Sequence, residues 1–383
     1  MCEPIDYIIF YVIGLPINLI NYLKLGNKLY HQILKDLKIP ELKYSLFISI
    51  LIKFVFFLFL FNSDLSTLAG DQSKYWGMTE KINTKAGFFS EDFGAMRVPI
   101  YIIFLSLLKN IYNNLYFVIS IQLLLSIISL YIIYKIAELF SLNVAKITIV
   151  LSAFCLGLIN SYLFILTESI FLIFFLLFTF FLLKIEIVEP SKKIKYIILC
   201  SIFLGLATLT RPLAFYFFPV IFLIFLKNNF KKNLIKSLIF LFVFSLILSP
   251  WCIRNYFVFG EYKLTNSAGP NLAGYYYPYL KSNMENISTS TARNQIYTKL
   301  KNTIDYKKNP FFYGNKEKEF FFEEVKNYPI NIFLETWIEG NLKFLFTPSA
   351  VDTFYLLNIK KTNFSQIQSV DFFEKIKIYL FEN

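Results

Sequence analysis

"SIFLIFFLLFTFFLL", residues 169–183, runs without a single charge, and its reading decides the fold. A helix rises about 1.5 Å per residue, so crossing a hydrocarbon core of about 30 Å takes roughly 20 residues. A helix on a soluble protein would show a polar face recurring about every 3.6 residues, and this run shows none. Working outward, comparable runs at 44–61, 115–134, 147–166, 168–184, 196–210, 213–227 and 237–253 predict further membrane-spanning helices. The composition agrees: 56% of the 383 residues are hydrophobic and Phe alone counts 46. The expected class is an all-α polytopic membrane protein. Two apolar stretches are less regular. Residues 7–23 hold Gly14, Pro16 and Asn18 and read as an extra span or an interfacial helix. Residues 98–108 are too short to span and read as a juxtamembrane or re-entrant helix.

The charges orient the bundle. The net charge of +12 would suit a nucleic-acid binder, but the basic residues are scattered through short loops and gather in no groove. Lysines cluster at 24–43 (Lys24, Lys28, Lys35, Lys38, Lys43), 135–146 (Lys135, Lys146), 184–195 (Lys184, Lys192, Lys193, Lys195) and 227–236 (Lys227, Lys231, Lys232, Lys236). The positive-inside rule places these loops in the cytoplasm. Residues 62–114 and the polar stretch after 254 then lie outside. The expected division is an N-terminal extension 1–43, a transmembrane module 44–253 with its first outer loop at 62–114, and a mostly extracytoplasmic region 254–383. Residues 331–346 look interfacial, and the tail "KIKIYLFEN" resembles the start of a further helix.

Several chemistries are argued against. Cys2, Cys155, Cys200 and Cys252 have no disulfide or zinc spacing, and His31 is the sole histidine, which leaves no His-based metal site or Ser-His-Asp triad. No cofactor is expected, and an oxygen-ligated divalent cation stays open.

Four of the 38 basic residues are arginines, and three of them close short motifs beside apolar runs: Arg97 in "AMRVPIY", Arg211 in "LTRPLAF" and Arg254 in "SPWCIRNY". A guanidinium grips phosphate through two parallel bonds, which Lys cannot copy. The plainer reading is an Arg snorkelling at a helix end. Asp71 and Tyr75 open the first outer loop, and Glu168 opens a predicted span. Each acid also suits a helix N-terminus, as does Asp64. Lys53 falls near the middle of the first predicted span, where a charge is a functional candidate, or snorkels if the span is shifted. "GYYYPY", 274–279, offers aromatic faces for sugar rings, or an interface belt.

These residues resemble the GT-C membrane glycosyltransferases, in particular the protein O-mannosyltransferase and lipid A aminoarabinose transferase-like family. The family pattern in the first outer loop is Asp, Tyr, a Gly-aromatic turn, then R-P-P-x-Y-P. Asp71, Tyr75, Gly87, Phe88, Arg97, Pro99 and Tyr101 match it, while Val98 replaces the first proline and the last proline is absent. "LTESIF" (166–171), "GLATLTRPLA" (205–214) and "SPWCIRNYFVFGEYKLTNSAGPNL" (249–272) resemble later motifs in the same order, so the resemblance covers about residues 44–346. It implies a GT-C-like helical bundle with a large first extracytoplasmic loop and further helices beyond the C-terminal region. It implies an inverting glycosyltransferase of the cell inner membrane, working on the extracytoplasmic side. The donor would be a polyprenyl-phosphate sugar. The acceptor would be a hydroxyl on a glycolipid, a cell-wall polymer or a protein. The expected catalytic residues are Asp71 and Glu168. Donor phosphate would meet Arg97, Arg211, Arg254 and Lys53, and substrate would meet Tyr75, Tyr101 and Asn255. Two other classes fit less of the pattern: a transporter or flippase of a lipid-linked glycan, and a non-catalytic polyprenyl-phosphate-binding protein. The chain shows no internal repeat of the kind transporters carry.

Overall fold

A computed structural model describes residues 30–62, 70–84, 87–226, 230–306 and 309–346, and these are helical with no strand among them. The expected helix at 7–23, Asp64 and the tail after 346 lie outside the described residues. Among the described residues four helices are long and apolar enough to cross a bilayer: α1 (Pro40–Asn62), α4 (Leu115–Glu138), α6 (Glu168–Ile187) and α9 (Phe230–Phe259). Between them run α2 (Asp71–Ile82), α3 (Ile100–Ile111), α5 (Leu142–Ala153), α7 (Lys193–Thr208) and α8 (Phe217–Leu226). In lipid every backbone group must be satisfied within the protein, which is why these apolar runs become helices.

Two expected spans are not continuous α-helices: 213–227 opens as a tight turn at Pro212–Tyr216 before α8, and 147–166 is broken more deeply. Residues 147–166 divide into α5, a five-residue turn at Leu156–Asn160, and an irregular stretch in which Tyr162, Leu163, Phe164 and Ile165 are buried. Irregular backbone at this depth needs partners, and Gln122 of α4 supplies them. Its Nε2 donates to the carbonyls of Tyr162 (3.1 Å) and Phe164 (2.9 Å). Gly157, Asn160 and Ser161 are the sequence signals that hydropathy alone overrode. The segment 98–108, expected as a short helix that does not span, is α3, 12 residues long.

α9 carries Pro250 in its interior. Proline cannot donate to the carbonyl four residues back, that of Leu246. The Ser249 hydroxyl donates to that carbonyl instead, at 2.9 Å. α9 also passes close to α7, where a Cβ on Gly205 would stand 2.7 Å from the Ile247 side chain.

The lysine-bearing turn between α4 and α5 is pinned to the start of α1. Lys135 pairs with buried Asp36 at 3.2 Å, Tyr131 donates to the same carboxylate, and Lys146 pairs with Glu41 at 2.9 Å. The starts of α2 and α6 and the ends of α7 and α9 gather at the opposite end.

After α9 the chain builds a helical layer from α10 (Tyr277–Glu285), α11 (Thr289–Thr303), α12 (Pro310–Val325) and α13 (Ile330–Phe346). Its core is Ala273, Tyr277, Leu280, Ile296, Leu300 and Phe321. Residues 331–346, read as interfacial, are α13, on which Leu334 and Trp337 are exposed. The layer approaches the preceding loop at a glycine pair: a Cβ on Gly269 would fall 2.0 Å from the Gly314 carbonyl oxygen. No rotamer relieves a clash with backbone. Gly269→Ala is expected to destabilise the protein by about 3 kcal/mol. A thermal melt of the purified protein checks this, with Gly274→Ala as control, because a Cβ there meets nothing within 4 Å.

Candidate active site

The first outer loop folds around one buried arginine. Arg254, near the end of α9, donates through Nε to the Phe88 carbonyl (2.5 Å), through Nη1 to Gly94 (2.8 Å) and through Nη2 to Ser90 (2.9 Å). Phe93 and Trp251 lie against its guanidinium at 5.5 and 4.9 Å. Next to it, Asn255 accepts from Arg254 and donates to the carbonyls of Lys263 (2.7 Å) and Leu264 (3.2 Å). Trp251 adds a bond to the Leu264 carbonyl. "PWCIRN" therefore fastens two loops, 88–94 and 263–264, to the end of α9.

The second of these loops, together with Met96, Arg97 and Val98 just beyond the first, walls a cavity of about 850 Å³ at the end of the bundle, within the range of small-molecule sites. Besides Lys263, four charged side chains from four separated segments line it: Asp71, Arg97, Glu168 and Arg211. They form two ion pairs. Arg97 Nη2 lies 2.7 Å from Asp71 Oδ1, and Arg211 Nη1 lies 2.5 Å from Glu168 Oε1. Lys74 stands 3.6 Å from the same Asp71 oxygen.

Each pair is held from behind. Asp71 is the first residue of α2, with Gly70 at the cap position, so its carboxylate turns to Arg97 and not to the helix amides. Next along α2, Gln72 accepts from the Ile165 amide at 3.0 Å, which ties α2 to the turn before Glu168. Ser169 donates to Gln122 at 3.0 Å, so the residue that supports the irregular stretch also anchors the start of α6. Both arginines lie over rings, Arg97 over Tyr75 at 4.2 Å and Arg211 over Phe171 at 5.7 Å. Tyr75 in turn packs edge-on against Tyr101, whose buried hydroxyl donates to Gln122 at 2.9 Å. Burial raises the Tyr75 phenol above its ordinary pKa and Arg97 draws it partly back. At neutral pH it is a neutral hydroxyl.

The structure thus brings together Asp71, Tyr75, Arg97, Glu168 and Arg211 of the residues expected from the sequence. It sets four others apart from this cavity. Arg254 and Asn255 are spent on loop carbonyls, and Tyr101 is buried behind Tyr75. Lys53 is buried within the bundle, 2.9 Å from Ser126 Oγ and over the Tyr162 ring at 5.8 Å. Sequence reading missed Gln72 and Gln122, which position the pairs, and Lys263 and Asn271, which line the cavity; Tyr275 of "GYYYPY" lines it too. A glutamine inside an apolar run was the one signal for Gln122. No cluster of His, Cys, Asp and Glu suited to a metal occurs among the described residues.

One side of the cavity is apolar and open. Leu213, Phe215 and Tyr216, on the turn between α7 and α8, line it and are exposed. The arrangement can hold an anion between two guanidinium groups, beside a carboxylate, with an alkyl chain at the rim.

Comparison with curated proteins and with solved structures found no match. Residues 97–253 match the family model of dolichyl-phosphate-mannose-protein mannosyltransferases. That segment carries Arg97, Glu168, Arg211 and the apolar helices α4 and α6. Over this span the chain is similar to the dolichyl-phosphate-mannose-protein mannosyltransferases, a glycosyltransferase family of GT-C type.

Proposed function

We propose that the protein transfers a sugar from a polyprenyl-phosphate donor to an acceptor hydroxyl, in the cavity bounded by Asp71, Arg97, Glu168 and Arg211. The convergence of two arginine–carboxylate pairs beside an exposed apolar rim carries this reading. The family match to a lipid-phosphate-sugar enzyme supports it.

The donor's phosphate lies between Arg97 and Arg211, with its polyprenyl chain along Leu213, Phe215 and Tyr216. Cleavage of the sugar C1–O bond leaves a phosphate monoester, so charge builds on phosphate oxygens in the transition state. Fixed guanidinium groups stabilise that charge without reorganising. The acceptor hydroxyl gives its proton to the Asp71 carboxylate and its oxygen attacks C1 from the face opposite the phosphate. A single displacement inverts the anomeric centre. Glu168 orients Arg211, and the Tyr75 hydroxyl donates to the sugar. With the lysine-rich turns in the cytoplasm, this end of the bundle faces the opposite side of the inner membrane.

The test is release of free polyprenyl phosphate, with transfer of label, from a radiolabelled polyprenyl-phosphate sugar in membranes containing the full chain. Arg211→Lys keeps a positive charge but loses the fork. It is expected to lower turnover about 10²-fold, with unchanged protein level. Binding of the lipid with neither transfer nor hydrolysis by the wild type would overturn the reading in favour of a carrier.

A further inference from the structure

A second cavity, of about 510 Å³, lies within the C-terminal helical layer. Tyr275, Tyr297 and Tyr306 line it, with Arg293 and Lys301 on α11 and Glu317 on α12. Met96 and Tyr275 line both cavities, so the two share a wall, and Met96 precedes the Arg97 of the first site.

Glu317 is the unusual group. It is 7% exposed, and one of its oxygens accepts from the Tyr306 hydroxyl at 2.9 Å. The other, Oε2, is buried with no hydrogen-bond partner among the described residues. A buried carboxylate oxygen without a donor is costly, and Glu317 lines the cavity, so a ligand hydroxyl admitted beside it would supply the donor it lacks. Burial raises the Glu317 carboxyl above the ordinary carboxylate range and the Tyr306 bond offsets part of that. The two cations are also uncommitted: among the described residues, neither Arg293 nor Lys301 pairs with a carboxylate. Each instead lies over a tyrosine ring, Arg293 over Tyr275 at 6.0 Å and Lys301 over Tyr297 at 4.8 Å. Both side chains belong to exposed residues, and both rings present faces to solvent.

We infer that this cavity is the acceptor subsite and that it takes an anionic saccharide. The assignment rests on the proposed transferase reading and names its acceptor class. A sugar ring lies on the tyrosine faces, as its C–H face is apolar and matches an aromatic ring. Its hydroxyl donates to Glu317 Oε2. Its carboxylate or phosphate group meets Arg293 and Lys301. Tyr275, in the widened helical turn Asn271–Tyr276, then sits between the bound saccharide and the Asp71 cavity. The next hydroxyl along the chain would be presented to the base.

Binding is measured directly, apart from turnover, by calorimetric titration of the purified full chain in nanodiscs. The probes are trigalacturonate and neutral maltotriose, applied to the wild type, to Glu317→Gln and to Arg293→Gln/Lys301→Gln. The double variant changes exposed residues and leaves the packing intact. The expected result is trigalacturonate binding at least tenfold tighter than maltotriose. The double variant should abolish that preference, and Glu317→Gln should weaken both probes. Absence of binding to the wild type, equal affinity for the two probes, or a preference that survives in the double variant would each overturn the assignment. If saccharide binding holds while the donor is never turned over, the transferase reading falls and the saccharide site stands.

Discussion

Asp71→Asn is expected to lower sugar transfer by about 10³-fold, inside the usual range for loss of a general base. The side chain keeps its shape, and its remaining oxygen still accepts from Arg97, so the 2.7 Å contact survives without its charge. Stability changes little, because Asp71 is half exposed and an exposed pair contributes about 1 kcal/mol or less. Asp71 also fills no capping role whose loss would unwind α2, since Gly70 holds that position. Activity and stability should therefore separate: an unchanged melt with transfer near background. The measurement is label transfer at equal protein level, with a thermal melt of the same preparation. An Asn variant with wild-type turnover would remove Asp71 from the mechanism and leave Glu168 as the remaining carboxylate of the cavity.

The second large effect is structural. Arg254→Leu removes three hydrogen bonds to the carbonyls of Phe88, Ser90 and Gly94, of which Ser90 keeps the Phe93 amide as a donor at 3.2 Å, and takes away a cation packed on Trp251 and Phe93. Unsatisfied buried acceptors cost about 1–3 kcal/mol each, so a loss on the order of 4 kcal/mol is expected. Loop 88–94 should release first, as limited proteolysis between Phe88 and Ala95 appearing before global unfolding. Arg254→Lys should recover only part of the stability, because one ammonium cannot reach carbonyls arranged around a planar fork. Turnover falls in both variants because Met96, Arg97 and Val98, which line the cavity, follow directly on the released loop. A melt unchanged from wild type in Arg254→Leu would show that the clamp contributes nothing.

Arg97, Arg211 and Arg254 look alike in sequence: each borders an apolar run, with a proline or an aromatic residue within two positions. Their fates differ because of what surrounds them. Arg97 and Arg211 each meet one carboxylate and face a cavity, while Arg254 is enclosed by loop carbonyls on every donor. Local sequence records that a guanidinium is needed and not what it grips. Lys53 repeats the point, since its partners Ser126 and Tyr162 lie on segments far from it along the chain.

The sequence by itself determined the all-helical membrane class, because the bilayer leaves uncharged runs of this length one way to satisfy their backbone. It also pointed to segments that contribute to the cavity, 71–101, 166–171 and 205–214, since only short-range order is needed to spell a motif. What the tertiary structure alone decided is which charges meet. Asp71 with Arg97 and Glu168 with Arg211 are pairings across 26 and 43 positions. The break of the expected span 147–166 was decided there too, because its irregular backbone is stable only where Gln122 of another helix reaches its carbonyls. Hydropathy is a property of a segment, whereas a hydrogen-bond partner or a counter-ion is a property of the packing.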